Sequence, residues 1–580
     1  MTDALDLLRQ HGFSELACQF AKFIERKEDA NNAVVSLTAG LLTEVMAQGH
    51  VCLNLNNLPD TIHHLESCLP ENIRDWQTQL QAAKSVGKPG DYTPLILTDE
   101  GLLYLYRFWR DEQEVAKAVT QRLHPVSQLN LAQLQQDLAD WQNPIDGIDW
   151  QKVAVATALS RHLAVISGGP GTGKTTIVLK ILQCLHNQSE TLRIGLAAPT
   201  GKAAARLQQS ISKQQTSEVK TLHRMLGITE HNDQGRYNAE RPLPLDVLII
   251  DEASMIDISL MAKLMRALPA KARLILLGDS QQLASVESGA VLANLSEGQQ
   301  GHFSDEFIRQ FAVLGLNNDP ALLHSPLTDS FVRLQHSYRF DKDSLIGQLA
   351  GLVNQGEAEQ AITRLQTEQT SMWTTPDDRN LLQSLAEGYQ PYIEAVNKHL
   401  PPQEVIQAFD QFRVLAALKT GPQSVMSVNR IMSRFLAQQG WRTTQTFYHG
   451  RPVMVTQNDY RQHLFNGDVG MLLRDETGQL KACFCFDDEI RWVALNRLPA
   501  HETVFAMTVH KSQGSEFDAV SILLPEEISP ILNRELLYTA ITRARKSLSI
   551  LATENALKHT INSRHQRESG LKKQLEKMNT

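Results

Sequence analysis

Residues 165–182 read VISGGPGTGKTTIVLKIL, and no other stretch restricts the fold of this chain as much. A short apolar run of strand character enters a loop of four glycines and a proline, and the loop enters an amphipathic helix. Gly168, Gly173, Lys174 and Thr175 satisfy the spacing G-x-x-x-x-G-K-[ST]. With Gly169, Pro170, Gly171 and Thr172 between them, the loop can turn its backbone N–H groups inward, towards phosphate oxygens. A helix starting near Lys174 and running through Thr176 adds the positive end of its dipole. In such a loop the lysine reaches the β- and γ-phosphates, and the Thr175 hydroxyl is a ligand for Mg²⁺. The stretch therefore predicts a nucleoside-triphosphate site.

The surrounding pattern agrees. LAVISGG, RIGLAAP, DVLIIDE and RLILLGD are apolar runs of strand length that alternate with helical patterns from residue 150 onward. That alternation is the mark of a parallel sheet covered by helices. A looser stretch around 296–330 leads to a second unit, with strand candidates at QFRVLAAL (411–418), ETVFAMTVH (502–510), DAVSILLP (518–525) and SLSILAT (547–553). Short alternating runs and turns over 447–486 suggest a small antiparallel barrel or meander inserted in it. Residues 1 to about 110 read as mostly helical, opening on one amphipathic helix and holding a possible strand at GHVCLNL (49–55). A Gln-rich helix and the turn NPIDGID (143–149) join this region to the first sheet.

Composition narrows the class further. There is no run of eighteen apolar residues and no apolar leader, so the expectation is a cytoplasmic protein with no membrane contact. The six cysteines are scattered, and buried structural thiols are the reading for all of them; Cys52, His64 and Cys68 lack the fourth ligand and CxxC spacing of a zinc site. The net charge is −8, and residues 1–120 alone carry ten basic against seventeen acidic side chains. The remainder is nearly neutral, which permits a local basic groove there.

In LIIDEAS (248–254), Asp251 and Glu252 end a buried strand. Asp251 is placed to hold Mg²⁺, and Glu252 to orient and deprotonate an attacking water. The next apolar run ends in LLGDSQQ, where Asp279 and Gln282 can report on the γ-phosphate.

Taken in order, SGGPGTGKTT, APTGKAAARLQ (198–208), TLHRMLG (221–227), VLIIDEASMID, LLGDSQQLASVESGAVL, LQHSYRF (334–340), FNGDVG (465–470), TVHKSQGSEFD (508–518) and LLYTAITRAR (536–545) resemble superfamily 1 DNA helicases, and among them the RecD family. GHVCLNL and LYLYRFWRDE (103–112) resemble that family's N-terminal domain. The resemblance implies an α/β fold with two RecA-like domains, an N-terminal mainly helical domain and an inserted SH3-like barrel. The corresponding spans are 1–115 for a partner-docking domain, 116–328 for the first RecA-like domain, and 329–580 for the second, with the insert near 445–500.

The resemblance also implies roles. Gln151 would read adenine, Arg339 and Arg543 would be arginine fingers, and Glu516 would lie near the nucleotide and the DNA groove. Thr200, Lys202, His223, Thr508, His510 and Ser512 would touch single-stranded DNA. Hydroxyls and a lysine suit a phosphate track without base readout. The implied activity is ATP-dependent, 5′ to 3′ movement on DNA at duplex ends, within a RecBCD-type heterotrimer whose nuclease belongs to another subunit. A stand-alone helicase of the same group is the alternative, and a nucleotide-gated structural subunit is the reading from another class. LYLYRFW (103–109) supplies aromatic and arginine side chains of the kind that dominate protein interfaces, which points the N-terminal domain towards a partner.

Overall fold

The computed structural model describes residues 4–578 apart from 29–31, 60–61, 63–68, 71, 142, 144–146, 212–217, 230, 300, 318–325, 340–343, 368–372, 460, 487–488 and 565. Two parallel sheets dominate it. The first has six strands in the order Phe331–Leu334, Leu163–Gly168, Arg273–Gly278, Val247–Ile250, Ile194–Ala198, Val219–Thr221. The second has five, in the order Trp373–Thr374, Ala544–Leu551, Phe517–Leu523, Phe412–Ala416, Ala506–Thr508. Helices lie against both, so central strands are buried on both faces; every residue of Leu163–Gly168 and Arg273–Gly278 is buried. Burying each such Leu, Ile or Val stabilises the sheet by about 1.5–3 kcal/mol relative to exposure.

The strand Phe331–Leu334 pairs in parallel with Val165–Gly168, so the chain returns to the first sheet before it enters the second. Because it sits beside the strand that feeds the glycine loop, the residues after it are delivered onto that loop. The stretch 502–510 is two strands and not one: His501–Thr503 closes the insert and Ala506–Thr508 joins the second parallel sheet.

The insert itself is a five-stranded antiparallel sheet in the order Glu489–Ala494, Leu480–Phe486, Val469–Arg474, Arg451–Val455, His501–Thr503. Its ladders form one open series among the described residues, with the outermost strands unpaired to each other. Of the barrel or meander expected here, the described residues form an open antiparallel sheet with no ladder closing it. Its last strand has three residues, short for the edge that closure would need.

The N-terminal region mixes helices with a four-stranded sheet, Leu53–Asn54, Leu102–Leu105, Leu95–Leu97, Val86–Gly87. The opening amphipathic stretch is two helices, Ala4–Gln10 and Glu15–Glu25, parted at Gly12, which has φ 73°, and restarted by the Ser14 hydroxyl accepting from Ala17 N–H. LYLYRFW is only partly turned outward: Arg107 is exposed and Leu105, Tyr106 and Trp109 are half-buried. Tyr104 and Phe108 are buried in a core shared with Leu248, Met261 and Leu274 of the first parallel-sheet unit. A strand residue and the first turn of Tyr106–Thr120 were spent on that internal seam.

The last described segment closes the molecule back on its beginning. After the helix Glu554–Asn562 of the second unit, residues 566–570 cross to the N-terminal region, and Leu571–Met578 packs on Tyr106–Thr120 with Leu571 and Leu575 buried. The fully buried Glu112 carboxylate accepts from Tyr104 Oη (2.8 Å), Gly570 N (3.2 Å) and Gln574 Nε2 (3.1 Å), and from the Ser569 hydroxyl. A carboxylate at the start of a helix also meets the positive end of its dipole. Of the cysteines, Cys18, Cys52, Cys184 and Cys483 are buried and Cys485 is half-buried; His64 and Cys68 lie outside the described residues. No described helix is long and apolar enough to cross a membrane.

Candidate active site

The glycine loop has the conformation its composition demands. Gly171 and Gly173 sit at φ 78° and 82°, in the left-handed region. A Cβ on Gly171 would lie 2.3 Å from the Arg339 Cβ, and one on Gly173 would lie 2.2 Å from Gln151 Nε2. Only glycine fits either position. The helix Lys174–Gln188 follows directly. Lys174 Nζ donates to the carbonyls of Gly168 (2.6 Å) and Gly169 (3.2 Å), so its charge already stands inside the loop. Thr172 Oγ1 donates to Gly169 O at 2.8 Å, bracing the same turn, and Thr176 continues the helix.

The segment after Phe331–Leu334 lies across this loop. Tyr338 N–H donates to Gly171 O (2.8 Å), and Ser337 Oγ donates to Pro170 O (3.2 Å). Arg339 is thereby carried to the cleft mouth, where its Nη2 meets Glu516 Oε1 of the second unit at 2.8 Å. Glu516 also holds Arg206, and Arg545 at 3.1 Å. Burial alone would raise its carboxyl, but Arg206 and Arg339 outweigh that and hold it down at about 2. Arg543 is buried, with Nε donating to Thr539 O (3.1 Å) and Nη1 to Ser515 O (3.2 Å).

Asp251 and Glu252 stand at the end of Val247–Ile250. Glu252 has φ 54°, a left-handed setting that a non-glycine residue adopts at a cost of order 1–3 kcal/mol, and its N–H donates to Asp251 Oδ1 at 2.9 Å. Burial, and then the adjacent Glu252, push the Asp251 carboxyl up, with Lys174 opposing them. Gln282 Nε2 donates to Asp279 Oδ2 (2.9 Å), which places both beside Gly169. At the other flank, Gln151 Nε2 donates to Thr172 O (2.9 Å) and Asn143 Nδ2 to Gln151 Oε1 (3.2 Å), next to Tyr338.

One cleft of about 270 Å³ therefore gathers Pro170, Gly171, Gly173, Lys174, Thr175, Asp251, Glu252, Gln282, Arg339, Glu516 and Arg543. Lysine, helix N-terminus and Arg339 sit on the first unit's side and Arg543 on the second's, around acids that can hold a cation and a water. That is the apparatus for transferring a phosphoryl group to water. Sequence reading passed over two of its members. Arg206 lines the cleft and binds Glu516, and Tyr338 seals its edge. Arg206 had one legible sign, its i+4 spacing from Lys202 on the helix Gly201–Ile211.

The residues expected to touch DNA stand outside this cleft. Thr200 Oγ1 accepts from Ala203 N–H (3.2 Å) and Thr508 Oγ1 from Lys511 N–H (3.3 Å), each capping a turn. Ser512 is buried, its hydroxyl donating to Val509 O at 2.7 Å. Burial lowers Lys202, which lies near Asp410 and Asp468, while His223 is exposed near Asp257. His510 lines a second, larger cavity of about 920 Å³ between the two units and the crossing segment 566–570.

Comparison with known proteins gives three matched regions. Residues 9–104 match the model of the RecBCD enzyme subunit RecD, N-terminal domain; residues 151–288 match an AAA domain; residues 503–551 match a UvrD-like helicase C-terminal domain. The RecBCD enzyme subunit RecD of Haemophilus influenzae is 36% identical over 565 residues, covering 89% of this chain and 87% of that protein. The subunit of the same description from Mycobacterium tuberculosis is 34% identical, covering 93% and 91%. The ATP-dependent RecD2 DNA helicase of Deinococcus radiodurans is 30% identical, covering 77% of this chain and 55% of that protein.

Proposed function

Since the chain belongs to the RecD family of RecBCD enzyme subunits, we propose that it is the ATP-dependent 5′ to 3′ DNA helicase subunit of a RecBCD-type heterotrimer acting at duplex DNA ends. The observation that carries the chemistry is the convergence, in one cleft, of Lys174, Asp251 and Glu252 from the first unit with Glu516 and Arg543 from the second. Hydrolysis at a seam between two bodies changes what each gains by closing, and repeated closing and opening is movement.

In this reading Lys174 and the loop N–H groups hold the β- and γ-phosphates of ATP, and Gln151 holds the adenine end. Thr175 and Asp251 offer two hard oxygen donors, a set that suits Mg²⁺, which keeps several of its waters and binds through few protein groups. The ion supplies charge neutralisation between the phosphates when bound. Glu252 orients the attacking water and accepts its proton, and Gln282 reports on the γ-phosphate. Arg339 and Arg543 stabilise the charge that develops on the transferred group. Glu516 keeps Arg206 and Arg339 gathered at the mouth.

Thr200, Lys202, His223, Thr508, His510 and Ser512 mark the track we propose for single-stranded DNA. The nuclease activity belongs to another subunit. We place the partner contact on the N-terminal unit, whose exposed apolar side chains include Leu16 and Phe23. The match to the RecD N-terminal domain favours a subunit over a stand-alone helicase. Purifying the native particle tests this directly. A heterotrimer with DNA-stimulated ATPase is the expected result, and an active monomer would establish the stand-alone reading instead.

A further inference from the structure

The segment that follows Gln282 is held from three directions. At its start Leu283 N–H donates to Thr539 Oγ1 (2.9 Å), and Leu283 O accepts from Gln513 Nε2 (2.9 Å), both from the second unit. At its far end Gly289 N–H donates to Gly49 O (2.9 Å) and Ser288 Oγ to Met46 O (3.1 Å), both in the N-terminal unit. Between these, residues 285–289 have no regular structure of their own, and their carbonyls converge on one side chain. Arg567 Nη1 donates to Glu287 O (2.8 Å) and Gly289 O (2.9 Å), and its Nη2 donates to Ser285 O (2.6 Å). The Ser285 hydroxyl completes the knot: its single proton is shared between Glu287 O (2.9 Å) and Gly289 O (2.8 Å), and its oxygen accepts from Arg567 Nη1 (3.3 Å).

The approach is close enough to dictate a neighbour. Gly49 has φ 95°, and a Cβ there would lie 2.6 Å from the Arg567 Cζ. Arg567 belongs to the crossing segment, which Glu568 fixes to the N-terminal unit through its N–H to His50 Nδ1 (3.1 Å) and its carbonyl from Val51 N–H (2.9 Å). One guanidinium therefore joins the end of the second unit, the N-terminal unit and the segment beginning at Gln282. A planar fork with five donors is the side chain that can serve three carbonyls at once. Burial lowers Arg567 to about 10, which leaves it charged at neutral pH.

We propose that Arg567 is a positioning residue for ATP hydrolysis: it freezes Ser285–Gly289, and through the two intervening residues, Leu283 and Ala284, keeps Gln282 aimed into the nucleotide cleft. The inference rests on the ATPase reading of that cleft and extends it to a residue outside every motif quoted above.

The test is steady-state ATPase of the full chain in its native complex with saturating DNA. Arg567→Ala should lower kcat about tenfold with KM for ATP within about twofold of wild type. Arg567→Lys should recover part of the loss, because an ammonium still donates to some of the same carbonyls. Ser285→Ala removes a hydroxyl from the knot without touching the crossing segment, and should lower kcat about threefold. A mere staple would lower the melting temperature and leave kcat per folded molecule unchanged. Wild-type kcat in folded Arg567→Ala and Ser285→Ala overturns the proposal, and if Arg567→Ala does not assemble, wild-type kcat in Ser285→Ala and Arg567→Lys does so. Absence of ATPase in the wild-type complex overturns the functional reading itself and takes this proposal with it.

Discussion

Tyr538 of the second unit donates its hydroxyl to Asp279 Oδ2 of the first at 3.1 Å, across 259 positions of sequence, and both side chains are buried. Gly169 of the phosphate loop lies against the pair, since a Cβ there would be 2.9 Å from the tyrosine oxygen. The contact thus joins the two units at the floor of the nucleotide cleft. Burial raises the Asp279 carboxyl and Lys174 opposes it, so the hydroxyl is one of few donors keeping a buried charge satisfied.

Tyr538→Phe should therefore weaken the seam by about 1–3 kcal/mol, the cost of leaving a buried acceptor short of a donor. The expected signs are a lower melting temperature and a smaller stabilisation on adding ATP. Paired with Asp279→Asn in a double-mutant cycle, it should show non-additivity; strict additivity would mean that the two side chains do not act together.

Lys174→Gln should abolish ATP hydrolysis and leave the fold intact. Its ammonium bonds only loop carbonyls, and no core packing depends on it. Circular dichroism and DNA-stimulated turnover on one preparation check both halves. Near-normal turnover would remove Lys174 from the reaction.

Arg543→Ala should bind ATP nearly as well as wild type and hydrolyse it slower by about 10³ or more in a single turnover. Because Arg543 also serves Thr539 O and Ser515 O, some loss of stability will accompany it, and Arg543→Lys separates the two effects. A collapse of nucleotide affinity with an unchanged single-turnover rate would make Arg543 a binding residue.

Acid should loosen the crossing segment through His50. Burial, aided by Arg567, lowers this histidine from 6.5 to about 4. The unfolded chain therefore binds the proton between these values while the folded one does not, so stability is complete above about 6.5 and is lost as pH falls towards 4. Between pH 7 and 5 the difference is about 2 kcal/mol. His50→Asn keeps a short acceptor and does not titrate, so its melting temperature should fall less over that interval. Parallel melting curves would show that His50 is not the group concerned.

Removing residues 1–120 should destroy the motor, although those residues carry none of the nucleotide-binding groups. Val115 and Val119 share one core with Leu264, Leu276, Leu571 and Leu575, which truncation would open to water. Size-exclusion and melting measurements should show aggregation. A monodisperse, cooperatively melting fragment would establish that the N-terminal unit is separable.

The parts of the site that could be read from the sequence are those whose chemistry is local. Gly171, Gly173 and Lys174 announce a loop because their conformations and contacts lie within a few residues of one another. Asp251 and Glu252 end a strand whose unbroken apolar run marks it as buried on both faces. Arg206 and Glu516 lie 310 positions apart, and only the tertiary fold makes them partners. The strands of the N-terminal sheet have two to four residues, too few for a period to show. LKKQLEKM reads as an exposed amphipathic helix, and nothing in it says that Leu571 and Leu575 complete a core near residue 115. In LYLYRFW the sequence could not say that Tyr104 and Phe108 enter an internal seam, because aromatic side chains suit an internal seam as well as an external one.

The contact between Glu112 and Ser569 spans 457 positions, and it orders events during synthesis. When Tyr106–Thr120 leaves the ribosome, the leucines that cover its flank have not been made, and at 5–20 residues per second they follow about 20 to 90 s later. Throughout that interval the helix shows water a face that ends in the interior, together with a carboxylate that has Tyr104 beside it but not yet its donors from Ser569, Gly570 and Gln574. The N-terminal unit can thus gather its own core from residues 4–103 early, but the face of Tyr106–Thr120 is completed only after nearly the whole motor has been made.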